Sequence, residues 1–166
     1  MPISGNASPT VSAARAAYLD NIDASLKELF YEHFGTTVDD LPGITASGDM
    51  AGVEASMINN ILVSVEFGAV DRYLELDFGA PTYIKKFRYN GSDVSNVGNR
   101  YKVSAYVAGA WEDCLTDIVD IDTAAWDLWR DLPTPQVSSR WRLTCTTFDT
   151  AAWMREIEFL GVRLGA

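Results

Sequence analysis

The chain's 166 residues predict a mainly β protein, an antiparallel β-sandwich carrying an N-terminal helical segment. Three observations carry that expectation. Apolar and polar residues alternate at period two in several stretches beyond residue 48. Those stretches are rich in β-branched and aromatic residues and are separated by turn clusters. Residues 10–35 show helical spacing instead, and no strand–helix–strand alternation points to a parallel sheet.

The order of the chain supports four parts: an arm at 1–9, a helix at 10–35, a linker at 36–47 and a β-domain at 48–166. The start, "MPISGNASPT", is rich in Ser, Pro, Gly and Asn and predicts an arm without regular structure. From Thr10 the pattern turns helical. Thr10 or Ser12 can serve as N-cap, and Val11, Ala14, Tyr18, Ile22, Leu26, then Leu29 or Phe30, and Phe34 recur at steps of three and four. Gly35 is a natural stop. At ~1.5 Å per residue the helix would be roughly 36 Å long.

Its first half has only a narrow apolar stripe padded with alanine, whereas a helix folded onto its own domain shows a wider apolar face. Small Ala13, Ala14, Ala16 and Ala17 permit close approach of another helix. The stripe of Val11, Ala14, Tyr18, Ile22, Leu26 and Leu29 has coiled-coil width, which predicts self-association. The alternative is a helix folded back onto the sandwich.

"TTVDDLPGITASGD" (36–49), with Pro42 and Gly43, reads as a linker. In the β-domain, "YLELDF" (73–78) sets Leu74, Leu76 and Phe78 against Tyr73, Glu75 and Asp77. "YKVSAYV" (101–107) puts Tyr101, Val103, Ala105 and Val107 on one face. "RWRLTCT" (140–146) turns Trp141, Leu143 and Cys145 inward, and "REIEFLGV" (155–162) sets Ile157 and Phe159 against Glu156 and Glu158. The expected core is Leu74, Leu76, Ile84, Phe87, Val103, Trp111, Trp141, Leu143, Ile157 and Phe159. "DTAAW" occurs at 122–126 and 149–153, but the residues that follow differ, so no repeat is inferred.

Charge narrows the partners. Lys and Arg number 13 against 23 Asp and Glu, a net charge of −10, so neither nucleic acid nor an anionic membrane surface is expected. No window reaches the ~18 apolar residues of a membrane span. The first ten residues lack the basic and apolar regions of a secretory signal, so synthesis in a cytoplasm is the expectation. Cys114 and Cys145 sit at no metal-ligand spacing and read as buried free thiols.

No enzymatic activity is expected and no cofactor is called for. His33 is the only histidine and lies outside the β-domain, which removes a Ser/His/Asp or Cys/His arrangement from the sandwich. Acidic pairs such as Glu112 with Asp113 read as solvated surface. A binding site would draw on loop residues: Asn90, Asp93 and Arg100 around "NGSDVSNVGN" (90–99), or Trp126, Trp129 and Trp153. An indole can stack on a sugar face. The same tryptophans read more readily as core or subunit contacts.

The succession "YLELDFGAPTYIKKFRY", "NRYKVSAYVAGAWEDC", "SSRWRLTCTTF" and "REIEFLGVRL" resembles the discoidin-like family, the coagulation-factor C-type domains, over about residues 70–164. The resemblance implies an eight-stranded jelly-roll sandwich whose loops at one end bind glycans, lipid headgroups or proteins. Family members often carry an "Ala-x-Asp-Gly…Thr-x-Trp" segment, near which some bind calcium. The stretch 54–73 has Asn59 and Asn60 but no Asp-Gly and no Trp, so no metal site is expected.

"SAARAAYLDNI" (12–22) is similar to a short motif of bacteriophage structural proteins, with Ala17 where glycine is usual. This implies a homotrimeric helical stalk on a virion component assembled in the bacterial host cytoplasm. A capsid decoration or head fibre comes first and a tail-fibre component second, with capsid or tail proteins as partners of the arm and helix. A carbohydrate-binding module of discoidin type is the alternative, and displayed heads that grip host-surface or mucus glycans would combine the two.

Overall fold

In the computed structural model, residues 26, 36–37, 44–50, 58, 65–93, 98–120 and 123–164 are described. They form β1 (Thr36–Thr37), β2 (Thr45–Gly48), β3 (Val65–Glu66), β4 (Tyr73–Gly91), β5 (Arg100–Val107), β6 (Ala110–Val119), β7 (Arg130–Asp131), β8 (Val137–Thr147) and β9 (Trp153–Arg163). Every pairing is antiparallel.

The hydrogen-bonded path runs β1-β9-β4-β8-β5-β6, with β2 and β7 on β4 and β3 on β9. β4 holds it together. Its first part pairs with β2 and β8, as in Leu74↔Gly48 and Leu74↔Leu143. Its second part pairs with β9, as in Phe87↔Phe159 and Arg88↔Glu158. Between them the register with β8 slips from Asp77 to Thr82. Gly79 there takes φ +67, a conformation that favours glycine, and its N–H donates to Asp77 Oδ1 at 2.8 Å. Alternation alone ends a strand at Phe78; the chain instead bends at "GAP" without leaving the sheet.

The two halves of bent β4 carry two layers that meet across one core. Phe159 of β9 faces Trp141 of β8 at 6.1 Å and Phe78 at 6.2 Å between ring centroids, and Phe67 meets Tyr101 of β5 at 5.1 Å. Leu74, Leu76, Ile84, Phe87, Val103, Trp141, Leu143, Ile157 and Phe159 are all buried; Ile84 and Phe87, three residues apart, share the inward face because the register with β9 shifts between Ile84 and Lys86.

Trp111 is the exception to the expected core. It pairs with Tyr106 across the β5–β6 hairpin, so both rings stand half-buried on the outer face, 5.2 Å apart. Around them, Arg142 lies 4.0 Å from the Trp111 and Tyr73 centroids, and Arg140 lies 4.6 Å from that of Tyr106. Glu75 accepts from Arg140 at 2.7 and 2.5 Å and from Arg142 at 2.9 Å, which fixes both guanidiniums between the rings. The hairpin turns through Ala108 (φ 50) and Gly109 (φ 91), the two positive φ angles of a two-residue turn that matches strand twist.

The segment read as a linker supplies β1, which pairs with Leu160 and Gly161 of β9, and most of β2. Of the expected helix, Leu26 alone is described: its backbone is helical and its side chain 49 % exposed. Val11, Ala14, Tyr18, Ile22 and Leu29, like the arm 1–9, lie outside the described residues. No helix among the described residues is long and apolar enough to cross a membrane.

Candidate functional site

The second part of β4 has one edge on β9; the segment 125–132 runs along the other. Gly91 N donates to Ala125 O at 2.9 Å, Asn90 bridges to Trp126, and Asp127 N donates to Tyr89 O at 2.8 Å. Further along, Phe87 pairs with Arg130 and Lys86 with Asp131, and Leu132 N donates to Lys85 O at 2.9 Å. From Asp127 to Arg130 the segment advances three residues while β4 advances two, from Tyr89 to Phe87. The extra residue forms a bulge that turns Leu128 outward, 82 % exposed.

Asp127 braces the bulge. Its Oδ1 accepts from Leu128 N at 2.8 Å, and its Oδ2 accepts from Arg130 Nε and Nη2 at 2.7 and 2.5 Å. Trp126 and Trp129 thereby reach one guanidinium. Arg88 Cζ lies 4.5 Å from the Trp126 ring centroid and 4.4 Å from that of Trp129. Each contact contributes on the order of 0.5–2 kcal/mol. Arg88 Nε donates to Glu158 Oε2 at 2.5 Å, the outward pair of the Arg88↔Glu158 register.

Arg88 and Glu158 therefore stand on strand positions at the outer face of β4 and β9, and the half-buried Trp126 and Trp129, with Asp127, lie on the irregular segment beside them. Apolar ring area and directional donors and acceptors are side by side, as sugar recognition needs.

The structure gathers three of the six sequence-predicted residues here. Trp126 and Trp129 flank Arg88, and Asn90 sits beneath Trp126, 4 % exposed and too deep to meet a ligand directly. Asp93 pairs with Arg155 at 3.5 Å near the start of β9, where half-buried Trp153 pairs with Glu66. Arg100 lies at the start of β5, between β6 and β8, 3.1 Å from Asp117. Sequence reasoning missed Arg88, Asp127 and Glu158. Alternation places Arg88 and Glu158 on outward positions of "FRYN" and "EIEF", but only the register makes them neighbours.

Two features frame this end of the sandwich. Buried Asn99 accepts from Asp149 N at 3.0 Å and donates to Asp120 Oδ2 at 3.1 Å and to Ala151 O, which ties together three chain segments. Tyr101 donates to the same Asp120 oxygen at 2.9 Å; burial, then the Asp120 charge, pushes its phenol pKa up. A cavity of about 300 Å³ is lined by Asp49, Met50, Phe67, Gly68 and Arg72. The Arg72 guanidinium donates to Asp49 O at 2.9 Å. Among the described residues no three His, Cys, Asp or Glu side chains come together to hold a metal ion.

No protein-family model matches the chain, and no curated protein matches it. Solved structures do. One is the family 32 carbohydrate-binding module of NanJ from Clostridium perfringens in complex with galactose. It has a TM-score of 0.61 and 14 % identity, over 76 % of this chain and 99 % of that one. A second is a family 32 module from a family 31 glycoside hydrolase of the same organism, with TM-score 0.58 and 11 % identity over 71 % and 94 % of the chains. A third, the module of AlyQ in complex with 4,5-unsaturated mannuronic acid, has TM-score 0.57 and 13 % identity over 75 % and 97 %. Likeness at such identities is a likeness of fold. The chain has the discoidin-like β-sandwich fold of the family 32 carbohydrate-binding modules.

Proposed function

We propose that the sandwich is a non-catalytic glycan-binding module of discoidin type and that Trp126, Arg88 and Trp129 hold the glycan. The observation that carries this is the shared guanidinium, 4.5 and 4.4 Å from the two ring centroids. It fixes both indoles in place before any ligand arrives, so little side-chain entropy is lost on binding. The exposed ring area stacks on the apolar face of a pyranose. Among the described residues Arg88 hydrogen-bonds through Nε alone, which leaves its Nη groups to donate to sugar hydroxyls. Galactose in the NanJ module and the mannuronic acid derivative in the AlyQ module support the general class of ligand.

The test is a glycan array probed with the full chain, followed by titration of tryptophan fluorescence with the best ligand. Retention of a defined glycan, lost in Trp126→Ala and Trp129→Ala while both variants stay folded, is the expected result. Retention that survives both substitutions moves the site elsewhere.

A second reading concerns what displays the module. The likeness of residues 12–22 to virion proteins and the 49 % exposure of helical Leu26 support an N-terminal helix that associates with its own copies. The sandwich would then be the outward head of a phage virion protein, a capsid decoration or head fibre ahead of a tail fibre. Light scattering of the full chain should give a trimer. A monomer removes this reading and leaves the glycan module untouched.

A further inference from the structure

We propose that Glu158 sets the ligand class of the tryptophan cluster: it neutralises Arg88, so the site takes neutral glycans and rejects those carrying a carboxylate. The proposal rests on the glycan reading above and deepens it.

An arginine beside two indoles would ordinarily be an anchor for an acidic sugar, because a guanidinium matches a carboxylate with two parallel hydrogen bonds. Here the charge is already matched. Glu158 accepts from Arg88 Nε at 2.5 Å, and its side chain is only 11 % exposed, so solvent screens the pair poorly. Two further arginines of this region also have a carboxylate partner, the second a looser and more exposed one. Arg130 is held by Asp127, 12 % exposed, at 2.5 Å, and Arg155 lies 3.5 Å from Asp93.

A ligand carboxylate on the Nη side of Arg88 would therefore meet a neutral pair. It would also approach the carboxylate oxygens of Glu158 and Asp127, within a chain of net charge −10. A sugar hydroxyl meets no such opposition. It accepts from Nη and can donate to a carboxylate oxygen, so the arrangement that repels an acid suits a polyol. Selection by a repulsive group rather than by an added contact is a common route to specificity.

The test compares galactosides with the matching galacturonosides, which differ by one carboxylate, on one array. It uses the full chain and its Glu158→Gln variant. The amide oxygen that this substitution introduces can still accept from Arg88 Nε but brings no charge. The expected result has two parts. The unaltered chain retains galactosides in preference, with little response to salt, and Glu158→Gln shifts the galacturonoside-to-galactoside ratio upward roughly fivefold or more. Galacturonosides held as tightly as galactosides by the unaltered chain, or a ratio unmoved in a folded Glu158→Gln variant, overturn the assignment while the glycan reading stands. An array on which no glycan is retained overturns both.

Discussion

Arg88 and Trp129 meet beside a single bulge: the guanidinium carbon of one lies 4.4 Å from the ring centroid of the other, where Leu128 turns out of the ladder between Asp127 and Arg130. Closing the bulge should therefore disperse the cluster. Deletion of Leu128 is expected to remove glycan retention while the core, on the other face of β4, keeps its thermal transition. Retention by the deletion variant would show that the bulge does not position the site.

Truncating either indole should weaken ligand binding with little loss of fold, since both rings lie outside the core. Trp126→Ala and Trp129→Ala are each expected to cost about 1 kcal/mol of stacking or more, roughly fivefold in Kd. Isothermal titration of the array's best ligand measures it. Unchanged affinity in both variants would contradict the proposed site.

Glu75 makes stability sensitive to acid. Burial pushes its pKa up, but hydrogen bonds from Arg142 and Arg140, together with their charge, outweigh burial and hold it below its ordinary 4.5. A carboxyl whose pKa is depressed by folding contributes stability that is present above pH 4.5 and is lost as the pH falls through the lower folded-state value. Glu75→Gln should cost about 1–3 kcal/mol at neutral pH. It should also flatten the fall in stability below pH 4.5, as read by urea denaturation at several pH values. An acid limb of unchanged slope would exclude Glu75 as a source.

Gly161 leaves no room for a side chain. A Cβ there would lie 2.0 Å from the Tyr83 carbonyl oxygen and 3.0 Å from Ile84 Cα, both backbone atoms that cannot swing aside. Gly161→Ala should destabilise the β4–β9 pairing by about 3 kcal/mol, the upper end for overpacking. A melting temperature within a degree or so of the unaltered chain would contradict the close approach.

The two thiols should be silent in the folded chain. Burial first of all pushes Cys114 and Cys145 up to about 11, so little thiolate is present near neutrality. A thiol reagent is expected to modify neither until denaturant is added, and then both. Rapid labelling of either in the native state would show an opening that the buried core does not provide.

The layers and most of the core are legible in the residues alone. In the four stretches that alternate, period two names the inward residues, because successive side chains on a strand point to opposite faces whatever the strand pairs with. Leu74, Leu76, Val103, Leu143, Ile157 and Phe159 follow on that ground. Trp111 does not. Its hydrophobicity argues for the core, but its cross-strand partner Tyr106 and the guanidiniums of Arg140 and Arg142 cover it on the outer face. Trp126 and Trp129 can likewise be named as candidate ligand residues from sequence, without any sign that they share one partner.

The site itself belongs to the assembled sheet. Arg88 and Glu158 are 70 residues apart in sequence, and their contact depends on the register of β4 with β9. The approach of both tryptophans to Arg88 depends on a one-residue bulge beside Leu128. Register and bulges arise from the best joint packing of whole strands, which no local spacing encodes, whereas facing is a property of each strand alone.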